Sequence, residues 1–191
     1  RDNSSVSILQ NSSGVFSVSQ TLSVSEHPIK IASGDWDGDT DSDLAVLLRD
    51  STLVQVWLND GTGSFSKQST TYTVGSLPVS MISGDWNCDG KQDLAVSNSG
   101  DSTLSLIYGK GTGDFDIPVT ISSGRGPGTL AAADFDNDNK MDFVVGHNFL
   151  VTTSGASLLT GDFSLTLSDA TSSTGYASPT SFAATLSKDG A

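Results

Sequence analysis

The chain repeats itself, and the repeat limits what it can fold into. Asp35-Trp36-Asp37-Gly38-Asp39-Thr40-Asp41-Ser42-Asp43 returns as Asp85-Trp86-Asn87-Cys88-Asp89-Gly90-Lys91-Gln92-Asp93. It returns again as Asp134-Phe135-Asp136-Asn137-Asp138-Asn139-Lys140-Met141-Asp142, so the first positions lie 50 and 49 residues apart. Two unrelated landmarks keep the same period. Pro28, Pro78, Pro127 and Pro179 are spaced by 50, 49 and 52 residues, and Phe16, Phe65, Phe115 and Phe163 by 49, 50 and 48. A unit this short cannot bury its apolar surface alone, so copies must stack on one another.

Each unit reads as four strands. In the unit after Pro28 these are Ile29–Ser33, Leu44–Leu48, Leu53–Leu58 with period-two alternation, and Phe65–Val74. The acidic segment joins the first two. Asn59-Asp60-Gly61-Thr62-Gly63 joins the last two and carries the residues a tight hairpin needs. The second unit gives Val79–Ser83, Leu94–Ser97, Leu104–Tyr108 and Phe115–Ile121. The third gives Thr129–Ala133, Phe143–Gly146, Phe149–Leu159 and Phe163–Leu167, with His147 in a loop after its second strand. Val6–Gln10 and Phe16–Val24 look like strands three and four of a preceding unit, and Thr180–Leu186 like strand one of a following one. In that last copy Leu186, Lys188 and Gly190 stand where the first three acids would be.

The expected organisation is therefore a partial unit over 1–27, full units over 28–77, 78–126 and 127–178, and a first strand over 179–191. Repeated four-stranded antiparallel units point to an all-β fold built of β-propeller blades. Three full blades with partial blades at both ends belong either to a larger propeller or to one completed by another chain, because an unpaired strand edge is a template for pairing.

A formal net charge of −13 argues against a nucleic-acid partner, since phosphate attracts a basic face. No apolar stretch approaches the roughly 20 residues of a spanning helix. The three acidic segments hold 12 of the 22 acidic residues, too dense for scattered solubilising charge. Crowded carboxylates repel one another, so a cation is their natural compensation. Cys88 is the one cysteine and can form no intrachain disulfide. Asn3 and Asn11 fit the N-glycosylation pattern.

The spacing of the acids suits Ca2+, which takes six to eight oxygens from carboxylates, amides and backbone carbonyls. Positions 1, 3, 5 and 9 carry a side-chain oxygen in every copy: Asp35, Asp37, Asp39 and Asp43; Asp85, Asn87, Asp89 and Asp93; Asp134, Asp136, Asp138 and Asp142. Position 7 varies between Asp41, Lys91 and Lys140, which suggests a backbone-carbonyl ligand with the side chain turned outward. About three ions are expected. An EF-hand is excluded, because its bidentate Glu at position 12 is here Val46, Val96 and Val145. Trp36, Trp86 and Phe135 follow the first ligand in each copy; sugar stacking is conceivable, and wedging between blades is the expectation.

On Gly34-Asp35 through Leu44, Gly84-Asp85 through Leu94, Ala133-Asp134 through Phe143, and the Gly-rich turns before Phe65 and Phe115, the chain resembles the FG-GAP/VCBS repeat family. These are the bacterial relatives of the integrin α-subunit propeller. The resemblance implies a seven-bladed, calcium-bearing, extracellular propeller used in adhesion or ligand binding. It also implies side-chain ligation at positions 1, 3, 5 and 9 and main-chain ligation at position 7. Fewer than four full repeats are present, and the Phe-Gly and Gly-Ala-Pro signatures of the eukaryotic branch are missing.

The leading expectation is a secreted or surface-displayed protein with structural calcium that binds a glycan or protein ligand. The alternatives are a fibre or surface-layer protomer joined to copies of itself through open blade edges, and an accessory module of a secreted enzyme. Catalysis by these residues is not expected. His27 and His147 share no recurring context, and no Gly-x-Ser-x-Gly elbow is present.

Overall fold

A computed structural model describes residues 4–147, 156–159 and 164–165. The described residues contain fourteen strands and no helix. A hairpin, β1 (Ser5–Ser12) and β2 (Val15–Ser23), comes first. A sheet of β3 (Pro28–Gly34), β4 (Asp43–Leu48), β5 (Leu53–Asn59) and β6 (Phe65–Thr73) follows. The next is β7 (Pro78–Gly84), β8 (Asp93–Asn98), β9 (Thr103–Ile107) and β10 (Val119–Ser122). The last is β11 (Pro127–Ala133), β12 (Asp142–His147), β13 (Ala156–Leu159) and β14 (Ser164–Leu165). In all three four-stranded sheets the strands lie in sequence order and pair antiparallel. Each is the four-stranded unit read from the repeat.

The repeat extends to the faults in the ladder. The pairing slips after Pro28 in β3, after Pro78 in β7 and after Pro127 in β11. Proline has no N–H to give a ladder, so it sits where a strand starts or bulges.

Alternation decides which face meets which neighbour. In β4, Val46 and Leu48 pack with Trp57 against Val6, Leu22 and Val24 of the hairpin. Ala45 and Leu47 point the other way and join Val54, Val56 and Tyr72 against Met81, Leu94, Val96 and Ile107 of the following sheet. In β8, Ala95 turns with Leu104 and Leu106 towards Phe143 and Val145. β4 and β8 are covered on both faces, which is why they read as apolar runs. First strands of successive sheets adjoin, β3 with β7 and β7 with β11, whereas β6 and β10 make no comparable contact. The sheets fan out from their first strands, as propeller blades do.

Two expectations shift. The strand expected to begin at Phe115 begins at Val119, and Phe115 keeps only a single bridge to Gly109. Pro118 supplies the reason, since it cannot donate to the ladder. His147 closes β12 instead of lying in a loop beyond it, and its Nδ1 lies 2.9 Å from the Arg125 carbonyl. In the third unit the described part of the third strand is Ala156–Leu159. Phe149, Phe163, Asn3 and the strand expected over Thr180–Leu186 fall outside the described residues.

Candidate metal centre

Each acidic segment is the turn between the first and second strands of its sheet, and its wiring is local. Asp35 accepts backbone hydrogen bonds from Gly38 at 2.8 Å on Oδ1 and from Thr40 at 3.1 Å on Oδ2. Asp37 Oδ1 accepts from the Asp39 amide, and Asp39 Oδ1 from the Asp41 amide. The second loop repeats the pattern. Asp85 takes the Asp89 and Gly90 amides, Asn87 Oδ1 takes Asp89, and Asp89 Oδ1 takes Lys91. In the third, Asp134 takes Asp138 and Asn139, Asp136 takes Asp138, and Asp138 takes Lys140.

The turns need left-handed backbone at positions 4 and 6. Gly38 and Thr40, Cys88 and Gly90, and Asn137 and Asn139 all have positive φ. Glycine and asparagine suit that region; Thr40, β-branched at +79°, is strained there. Cys88, at an even position, serves this turn, with its Sγ 3.8 Å from the Asn139 carbonyl of the next loop.

This folding gathers oxygens. One carboxylate oxygen from each of Asp35, Asp37 and Asp39 lies within 4.8 Å of the other two, and the same holds for Asp134, Asp136 and Asp138. Asn87 presents an amide oxygen at the matching place in the second loop. Asp136 Oδ2 is buried without a hydrogen-bond partner. An orphaned carboxylate oxygen among other carboxylates is the environment a hard cation satisfies. The electrostatics agree. Burial raises the Asp37 and Asp136 carboxyls above their ordinary value, and their acidic neighbours push the same way. Asp89 is lowered, first by the Lys91 amide and then by the Lys91 side chain.

The ninth position plays a second part. Asp43 is fully buried; its Oδ2 accepts from the Trp36 amide and its Oδ1 from the Asn59 amide, both at 2.9 Å. Asp93 does the same with Trp86 and Gly109, and Asp142 Oδ2 accepts from Phe135. Asp43 and Asp93 thereby lock the loop base to the third-to-fourth-strand turn. Burial raises both Asp43 and Asp93. At position 7 Asp41 lies directly against Gly61. Lys91 and Lys140 instead fold back, their Nζ atoms 3.2 and 3.1 Å from Asp89 and Asp138 Oδ2.

The aromatics after the first acid divide as well. Trp36 is buried against Phe115 of the next sheet, with ring centroids 5.8 Å apart, and its carbonyl accepts from the Gly113 amide. Trp86 packs on Phe143 at 4.8 Å. Both wedge between sheets. Phe135 is 48% exposed, and the unit that would follow it lies outside the described residues. The Trp36 ring lies over Gly34, where a Cβ would meet it at 3.1 Å, and Trp86 lies still closer over Gly84. Ala133 carries a methyl at that point. The glycine before each Trp-containing loop was the sequence signal for this contact, and reading the acids alone missed it. Tyr72, whose hydroxyl accepts from the Phe115 amide at 2.9 Å, had no such signal.

Set beside known families, the sequence matches a model of the FG-GAP-like repeat over residues 35–96 and again over 85–145, together more than half of the chain. No curated protein matches it.

Proposed function

The chain belongs to the FG-GAP-like repeat family, and on that premise we propose that it is a calcium-binding segment of a β-propeller whose ions are structural. The observation that carries this reading is the convergence of carboxylate oxygens in the first and third loops. Asp35, Asp37 and Asp39 would hold one ion, Asp85, Asn87 and Asp89 a second, and Asp134, Asp136 and Asp138 a third. The carbonyls of Asp41, Lys91 and Lys140 would complete each set, together with whatever lone pairs Asp43, Asp93 and Asp142 have left. Bound calcium supplies charge neutralisation and a fixed point for a loop with few apolar residues. No catalytic role is assigned to these residues.

Extracellular display, with a glycan or protein ligand met by the loops, is the setting we propose. Calcium is abundant there, and the acidic surface disfavours nucleic acid. Isothermal titration of chelator-treated protein with calcium tests the ion directly. About three equivalents of heat-producing binding are expected, and a flat isotherm at millimolar calcium would refute the reading.

A second reading, self-assembly by strand exchange, is favoured by one observation. Among the described residues β1 pairs with β2 alone, and Leu9, Phe16 and Val18 of this hairpin are exposed. Concentration-dependent growth of the species seen in size-exclusion chromatography would support it; a monomer at every concentration would exclude it.

A further inference from the structure

The three loops share a backbone and differ in charge. Within nine residues the first carries five carboxylates and no cation, the second three carboxylates and Lys91, the third four and Lys140. Both lysines occupy position 7. Their ammonium groups contact the outer oxygen of the position-5 acid, Asp89 or Asp138, whose other oxygen is held by a backbone amide. That outer oxygen is one a divalent ion would draw upon. The lysine in the second loop is positioned by its own sheet: its stem lies over the turn residue Gly111, where a Cβ would come 3.2 Å from Lys91 Cδ. Gly61 is the equivalent turn residue in the preceding unit, and the side chain lying against it is the Asp41 carboxylate. One location in the fold, beside the third-to-fourth-strand turn, therefore holds an anion in the first unit and a cation in the second.

We propose that Lys91 and Lys140 are tethered counter-cations. They hold the second and third loops folded when no divalent ion is present, and they compete with that ion for Asp89 and Asp138. The first loop, with Asp41 in that place, has no substitute and depends on the ion. This rests on the calcium reading given above and adds to it an order among the sites: the first loop binds calcium most tightly and loses most without it. The chemistry is that of like charge. An ammonium near a carboxylate lowers the repulsion that unfolds an empty loop, and the same ammonium opposes an incoming dication. Both pairs are half-exposed, so the effects are modest and shrink as salt is raised.

The test uses the full chain in two arms, melting in excess EGTA and calorimetric titration with calcium alone at low ionic strength. Lys91→Met and Lys140→Met keep the stem and remove the charge. Each should lower the melting temperature in EGTA by about 2 °C. Each should tighten one calcium site by about three- to tenfold. The gain from Lys91→Met should vanish when Asp89 is already Asn. Asp41→Lys should do the reverse in the first loop, raising the chelated melt and weakening its site. Lys110→Met is the control, because that lysine pairs with Asp116 outside the loops at 3.1 Å. Lysine variants that match wild type in both arms, or a control that moves as far as they do, would overturn the assignment. A wild-type chain that binds no calcium would instead refute the preceding section's reading and the competition claimed here with it.

Discussion

The first and third acidic loops have the same wiring, and their aromatics differ in exposure. In both, positions 1, 3 and 5 fold their carboxylates into one cluster through hydrogen bonds that span no more than five residues. In both, the ninth acid reaches back to the amide of the aromatic. Yet Trp36 is sealed under the next sheet while Phe135 is half open to solvent. The oxygen cluster is made by the loop alone, whereas burial of the aromatic needs a neighbouring blade. Local chemistry and blade stacking can therefore be broken separately.

The largest expected effect is on stacking. Trp36→Ala should cost about 3–5 kcal/mol in chemical denaturation, the usual loss for a buried aromatic. Phe135→Ala should cost under about 0.5 kcal/mol. Equal losses would mean the two aromatics are not in different environments. Next comes the ion: each occupied site should add about 2.7 kcal/mol at a hundredfold excess over its dissociation constant, read as the fall in melting temperature when calcium is replaced by EGTA. Asp37→Asn, in the loop without a lysine, should remove a larger share of that shift than Asp136→Asn.

Asp43→Asn should cost about 1–3 kcal/mol with or without calcium, because two buried amides then face an amide group that can accept only through one atom. A loss seen only in calcium would make Asp43 purely a ligand. Thr40→Gly should stabilise the chelated protein by about 1 kcal/mol, since glycine takes the +79° φ without strain. The third loop has Asn139 at this place, so Asn139→Gly should gain less.

The smallest effect is on pH dependence, and its sign depends on the ion. Asp37, Asp43, Asp93 and Asp136 are raised above their ordinary value of 3.8, chiefly by burial. A raised carboxyl contributes stability at low pH that is lost as pH climbs through its folded value. In EGTA the melting temperature should therefore rise as pH falls from neutrality towards 3.8. The lowered groups Asp60, Asp89 and Asp101 oppose this only below that value. With calcium the sign reverses, because protons displace the ion. Melting curves across that range in both buffers decide it.

Much of this architecture was legible in the repeat. Acids spaced two apart around left-handed glycines and asparagines form a tight turn by short-range hydrogen bonds, and an unbroken run such as Leu44–Leu48 announces a strand covered on both sides. The linear order therefore determined the unit, its strands and its oxygen-rich bends, since those depend on neighbours a few residues away. Only the tertiary structure decided that Trp36 and Trp86 are wedges, that Asp41 lies beside Gly61 while Lys91 and Lys140 reach Asp89 and Asp138, and that Asp43 and Asp93 latch onto a distant turn. Each of those outcomes depends on contacts with a second segment, Gly113 and Phe115 for Trp36, Gly61 and Gly111 for position 7, Asn59 and Gly109 for the latches. Local periodicity carries no record of which segment will lie alongside.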